Sequence, residues 1–86
     1  MYQITYRKSV VKFIKSRVPK EKTKILERFE QLKQNPYPNN MQLDIKKLQG
    51  QCGFRLRIGD YRFLYDVVDS ELIIYMENAD NRGDIY

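Results

Sequence analysis

The chain has 86 residues, 42% of them hydrophobic, and a net charge of +5 at neutral pH. So short a chain buries roughly 60% of its unfolded surface, which admits one domain around one core and excludes two; the apolar share excludes a disordered segment. The basic balance favours an anionic partner, whether nucleic acid, an acidic protein or a membrane surface. The charge is also polarised, since residues 1–62 carry 15 Lys and Arg against 5 acids and residues 63–86 carry one Arg against 6. Cys52 is the one cysteine, so a reducing compartment is expected. With no histidine to activate its thiol, Cys52 reads as a half-buried hydrophobe. There is no long apolar run, so neither a membrane span nor a signal peptide is expected, and the cytoplasm is the expected location.

Residues 2–7, YQITYR, alternate and predict a first strand with Tyr2, Ile4 and Tyr6 on one face. From Lys8 the period becomes helical. Val11, Ile14 and Val18 follow helical spacing with basic residues between them, and Ser9 is the candidate cap. Pro19 suits the first turn of a second helix, and Glu21 sits where the helix dipole favours negative charge. Ile25, Phe29 and Leu32 form the buried stripe of that helix, with Leu26 beside it, and Asn35-Pro36 stops it. The helix hairpin has one apolar and one basic side, and its lysines read as a solvated face.

NPYPNN, 35–40, is a loop, while LDIKKLQG, 43–50, fits either a short turn of helix or an irregular sheet edge. FRLRI (54–58), YRFLYDVV (61–68) and LIIYMEN (72–78) read as strands, and residues 84–86 would add a short last one. The order β-α-α-β-β-β, with that optional last β, is an α+β pattern: two N-terminal helices packed on a small antiparallel sheet, one domain over 1–86.

Gly59-Asp60 stands between two alternating runs, and a Gly-first two-residue turn fits type II′. That turn pairs Ile58 with Tyr61, Arg57 with Arg62, Leu56 with Phe63 and Arg55 with Leu64. The apolar residues then share one face and Arg55, Arg57 and Arg62 the other. A turn at Asp69-Ser70 pairs Val67 with Leu72, Tyr65 with Ile74, Phe63 with Met76 and Arg62 with Glu77. It adds Leu72, Ile74 and Met76 to the core face and places Tyr75 beside Leu64, where its ring could stack on a base. Like charges directly opposite destabilise a sheet by up to about 1 kcal/mol, so the Arg57–Arg62 pair needs an offset. Either Glu77 and Asp66 neutralise a merely solvated surface, or the arginines cradle phosphate, for which bidentate, permanently charged guanidiniums are suited.

The order of elements, the LDIKKLQG segment, the GFRLRIGDYRFLY hairpin and the ending ADNRGDIY resemble the RelE/ParE superfamily of type II toxin–antitoxin toxins. The resemblance covers nearly the whole chain and implies a fold related to microbial ribonucleases. For the RelE branch it implies an endoribonuclease that cuts mRNA in the ribosomal A site, the ribose 2′-oxygen attacking the adjacent phosphate and the 5′-oxygen leaving. It implies a cognate antitoxin, the ribosome and mRNA as partners, no membrane and no cofactor. By the same resemblance Arg62 grips the phosphate, and Arg55 and Arg57 are the basic strand positions before the turn. Arg82 stabilises the transition state or serves as acid, Tyr86 stacks on an mRNA base, and Lys46 and Lys47 form a basic segment for ribosomal RNA.

This chain departs from mRNA-cleaving members at Arg57, where they carry a lysine assigned as base; arginine is a poor proton acceptor near neutrality. Glu77 is a candidate base, with an ion pair to Arg62 as its other role. Two further readings stay open: a ParE-like inhibitor of DNA gyrase, and a non-catalytic basic module for RNA or protein.

Overall fold

Residues 1–81 are described in the computed structural model, and Arg82, Tyr86 and the expected strand over 84–86 lie outside them. The alternation at the start of the chain becomes β1 (Gln3–Tyr6), with Tyr2, Ile4 and Tyr6 packed toward the core. Then come α1 (Lys8–Lys15), α2 (Pro19–Gln34), β2 (Asp44–Lys47), β3 (Phe54–Ile58), β4 (Tyr61–Val68) and β5 (Ile73–Asn81), with a short 3-10 turn at Asp69–Glu71. The sheet order is β1-β5-β4-β3-β2. Strands β2 to β5 are antiparallel as expected, whereas β1 joins β5 in parallel. No hairpin links β1 to β5, so no turn imposes an antiparallel sense on that pair. The ambiguous 43–50 segment resolves as edge strand β2, with Ile45 buried.

The second helix follows its sequence: Pro19 opens it, and Ile25, Phe29 and Leu32 are buried. Leu26 is half exposed. The first helix is rotated from the expected stripe. Its buried residue is Val10, with Phe13 and Ile14 packed beside it at i+3 and i+4. Val18 is 58% exposed in the extended conformation that precedes a proline. Ser9 lies inside the helix, and Arg7 holds the cap position without a side-chain hydrogen bond.

Both helices cover the sheet face that presents Ile45, Leu56, Ile58, Phe63, Tyr65, Ile74 and Met76. At its centre Phe63 meets Phe29 edge to face at 5.1 Å and Phe13 at 5.9 Å. Tyr65 is buried with its hydroxyl donating to the Pro36 carbonyl at 2.7 Å. Burial pushes its phenol up, away from ionisation. The β3–β4 register is the expected one, from Phe54↔Tyr65 to Ile58↔Tyr61. Gly59 has φ 58° and Asp60 has no positive φ, as type II′ requires.

The β4–β5 register differs. The chain turns through the 3-10 segment and Leu72, which adopts a left-handed conformation (φ 54°, ψ 44°) and is half exposed rather than in the core. Val68 therefore meets Ile73, Val67 meets Ile74 and Tyr65 meets Met76. A bulge follows, with Glu77 the extra residue, so that Leu64 faces Asn78, Phe63 faces Ala79 and Arg62 faces Asp80.

Asp69 ties three parts of the chain together. Its Oδ1 accepts from the Tyr2 hydroxyl at 2.6 Å and the Tyr37 hydroxyl at 2.5 Å. These two bonds hold its carboxyl below the ordinary carboxylate range. The depressed value means the clasp contributes stability above about pH 4 and loses it as pH falls further. Tyr2 is raised by its bond to Asp69 and by burial, and Tyr37 by burial and then that bond, so the contribution also declines above about pH 10. The urea midpoint of the wild type should fall on acidification more steeply than that of Asp69→Asn. Parallel curves below pH 4 would contradict this.

Candidate functional site

The face of the sheet away from the helices carries two cross-strand rows of side chains. The first runs Asp44–Arg57–Arg62–Asp80 across β2, β3, β4 and β5. The second runs Lys46–Arg55–Leu64–Asn78. Alternation along each strand, with register fixed by the Gly59-Asp60 turn, gathers Arg55, Arg57 and Arg62 on this one face.

The carboxylates flanking the first row supply the offset that Arg57 opposite Arg62 demands. Arg62 donates through Nε to Asp80 Oδ1 at 3.1 Å and through Nη2 to Oδ2 at 3.4 Å, a forked contact. Asp44 serves two guanidiniums, with Arg55 Nη2 at 3.3 Å and Arg57 Nη1 at 3.9 Å. The Arg55 side chain is only 18% exposed, against 48% for Asp44. Each guanidinium has five N–H donors, more than two carboxylates can occupy. Arg55 Nε and Arg57 Nε are buried with no hydrogen-bond acceptor among the described residues. The arrangement has surplus donors in a fork geometry that matches phosphate oxygens.

Lys46 lies in the second row beside Arg55. Lys47, one residue on, points to the other side of the edge strand and pairs with Phe54. Tyr75 is on the arginine face, opposite Asp66 rather than Leu64, with its hydroxyl 3.4 Å from Glu71 Oε1. Four residues of β4 separate it from the Arg62 row, about 13 Å. Glu77 does not face Arg62: the bulge moves it to Arg7, whose Nη2 lies 2.8 Å from Glu77 Oε2. Asp66 makes no ion pair with an arginine among the described residues; it lies four residues along β4 from Arg62, and its Oδ1 accepts from the Val67 amide at 2.9 Å. Cys52 is exposed, not half-buried, at the rim of a hollow of about 320 Å³ floored by Leu64.

Sequence reasoning missed Asp44 and Asp80. The signal for Asp44 was the alternation Asp44-Ile45-Lys46 around a single apolar residue, which a strand reading of 43–50 would have paired with Arg57. For Asp80 there was none, because the bulge has no sequence mark.

No protein-family model matches the chain. It is 34% identical over 86 residues to RelE1 of Methanocaldococcus jannaschii, a protein assigned as a toxin, covering 99% of this chain and 94% of that protein. It superposes on a chain of the archaeal RelE–RelB complex of Pyrococcus horikoshii OT3 with a TM-score of 0.82 and 29% identity, over 95% of this chain and 96% of that one. For the RelB–RelE antitoxin–toxin complex of Methanococcus jannaschii the TM-score is 0.73 at 27% identity, over 94% and 93% of the two chains. With a relative above 30% identity over nearly its full length, and a sheet and helix pair that match those complexes, the chain belongs to the RelE family of toxins.

Proposed function

We propose that this chain is the toxin of a type II toxin–antitoxin pair and a ribosome-dependent mRNA endonuclease. The observation that carries the reading is the gathering of Arg55, Arg57 and Arg62 on the sheet face that no described helix covers. Arg62 grips the scissile phosphate with its fork, and Arg57 and Arg55 take its other oxygens. Lys46 and Lys47 meet ribosomal RNA from the edge strand, and Tyr75 stacks on a more distant base. Arg82, as stabiliser or acid, and Tyr86, as a stacking ring, belong to the same assignment and lie outside the described residues.

The 2′-oxygen attacks the adjacent phosphate, and the guanidiniums stabilise the charge that develops there. The ribosome holds the message in line for attack, which is why little cleavage of free RNA is expected. The relatives solved as RelE–RelB complexes support a cognate antitoxin here, its acidic or amphipathic segment laid across the basic surface.

Expression without antitoxin should arrest growth and yield transcripts with new 5′ ends inside translated codons. Arrest with intact transcripts and lost DNA supercoiling would favour gyrase inhibition instead. Ribosome binding without cut transcripts would leave a non-catalytic binding module.

A further inference from the structure

We infer that Asp80 is the general base that takes the proton from the ribose 2′-hydroxyl, an inference that rests on the mRNA-cleaving reading. The chain has no histidine, and its arginines are poor proton acceptors. Four carboxylates stand on the arginine face among the described residues: Asp44, Asp66, Glu77 and Asp80. Glu77 is held by Arg7 at 2.8 Å. Asp66 is bonded to the Val67 amide and lies about 13 Å along the strand from Arg62. Asp44 sits on the edge strand and spans Arg55 and Arg57, not Arg62. Asp80 is directly opposite Arg62, and both its oxygens face the Arg62 fork.

That placement couples binding to base release. The Arg62 donors that hold Asp80 are the ones a phosphate would claim, because phosphate and carboxylate oxygens accept the same guanidinium fork. Once the scissile phosphate takes the fork, Asp80 is freed beside it, next to the 2′-hydroxyl of the same linkage. Among the described residues, the charged groups around Asp80 are Arg62 from β4 and, behind it in the same row, Arg57 from β3. Asn78 precedes it on the same face of β5, and β1 pairs with β5 only as far as Met76.

In the step itself the 2′-O–H proton passes to an Asp80 carboxylate oxygen, and the freed electron pair of the 2′-oxygen forms the bond to phosphorus. The bond from phosphorus to the 5′-oxygen breaks with its electrons on that oxygen, which takes a proton from water. The products are a 2′,3′-cyclic phosphate and a 5′-hydroxyl, and Asp80 then returns its proton to solvent.

The test is single-turnover cleavage on message-programmed ribosomes across pH, with Asp80→Asn, Asp80→Glu, Asp44→Asn and, as a same-face control, Asp66→Asn. Binding to ribosomes carrying a 2′-deoxy message, which cannot be cut, is measured alongside. Asp80→Asn should cleave about 10²- to 10⁴-fold more slowly and lose the acidic limb of the wild-type pH–rate profile. Its binding to the 2′-deoxy message should be undiminished, Asp80→Glu should recover part of the rate, and Asp66→Asn should match the wild type. Asp80→Asn cleaving near the wild-type rate would overturn the role. So would an equal loss of binding, which would make Asp80 a support for Arg62 only, or a rate loss confined to Asp44→Asn. If the wild type itself leaves the message intact, the endonuclease reading fails and this role fails with it.

Discussion

Arg62→Ala is expected to lower mRNA cleavage about 10²- to 10³-fold, the scale seen when one preorganised donor to a developing oxyanion is removed. Among the described residues, Arg62 is the one arginine whose forked edge faces a single carboxylate, Asp80, so its donors transfer to phosphate as a unit. Arg62→Lys should recover little of the loss, because an ammonium keeps the charge and not the fork. The fold should survive both changes. The Arg62–Asp80 pair is partly exposed, and such pairs contribute about 0–1 kcal/mol. Cleavage on programmed ribosomes and urea unfolding, run on the same preparations, separate the two effects. An Arg62→Ala protein that cuts at the wild-type rate would remove Arg62 from the chemistry.

Phe63→Ala should cost about 3–5 kcal/mol, the range for truncating a buried phenylalanine. Phe63 has 0% exposure and meets both Phe13 and Phe29 edge to face, contacts that add about 0.5–1.5 kcal/mol each to the value of burial alone. Domains have only about 5–15 kcal/mol in total, so the variant should be partly unfolded near physiological temperature. Phe63 follows Arg62 on β4 and lies opposite Ala79, the neighbour of Asp80. Its loss should therefore also loosen the charged row. A urea midpoint close to that of the wild type would mean that the surrounding rings collapse into the space.

What could be read in advance divides along physical lines. The Gly59-Asp60 turn announces itself, because a glycine at a positive-φ position has few substitutes, and the β3–β4 register followed from it. The turn after β4 does not: a 3-10 segment closed by Leu72 in a left-handed conformation has no glycine to mark it. Its pairing was therefore displaced by two residues up to Tyr65, which keeps the faces there, and by three beyond the bulge, so that every partner changes. The first helix was misread because Val10 and Val11 are adjacent and only packing decides which is buried. The three arginines were legible as a group. Their carboxylate partners were not, since Asp44 lay in an unassigned segment and Asp80 beyond an unmarked bulge. The helix-pair expectation survived because Ile25, Phe29 and Leu32 repeat at helical spacing between two prolines.

The extra residue at Glu77 means that β5 is written in two frames. Before it, the inward side chains are Ile74 and Met76; after it, the inward side chain is Ala79, three positions on. Deleting Glu77 would leave one frame with the same partners, Asn78 on Leu64, Ala79 on Phe63 and Asp80 on Arg62. Unbroken alternation through a paired Glu77 would instead turn Ala79 outward and drive Asp80 against Phe63. A carboxylate buried there without its guanidinium is a far worse neighbour than a methyl group. The composition of the arginine face is thus set by where the ladder skips a residue as well as by residue identity: leaving Glu77 without a partner decides which of Ala79 and Asp80 the site contains.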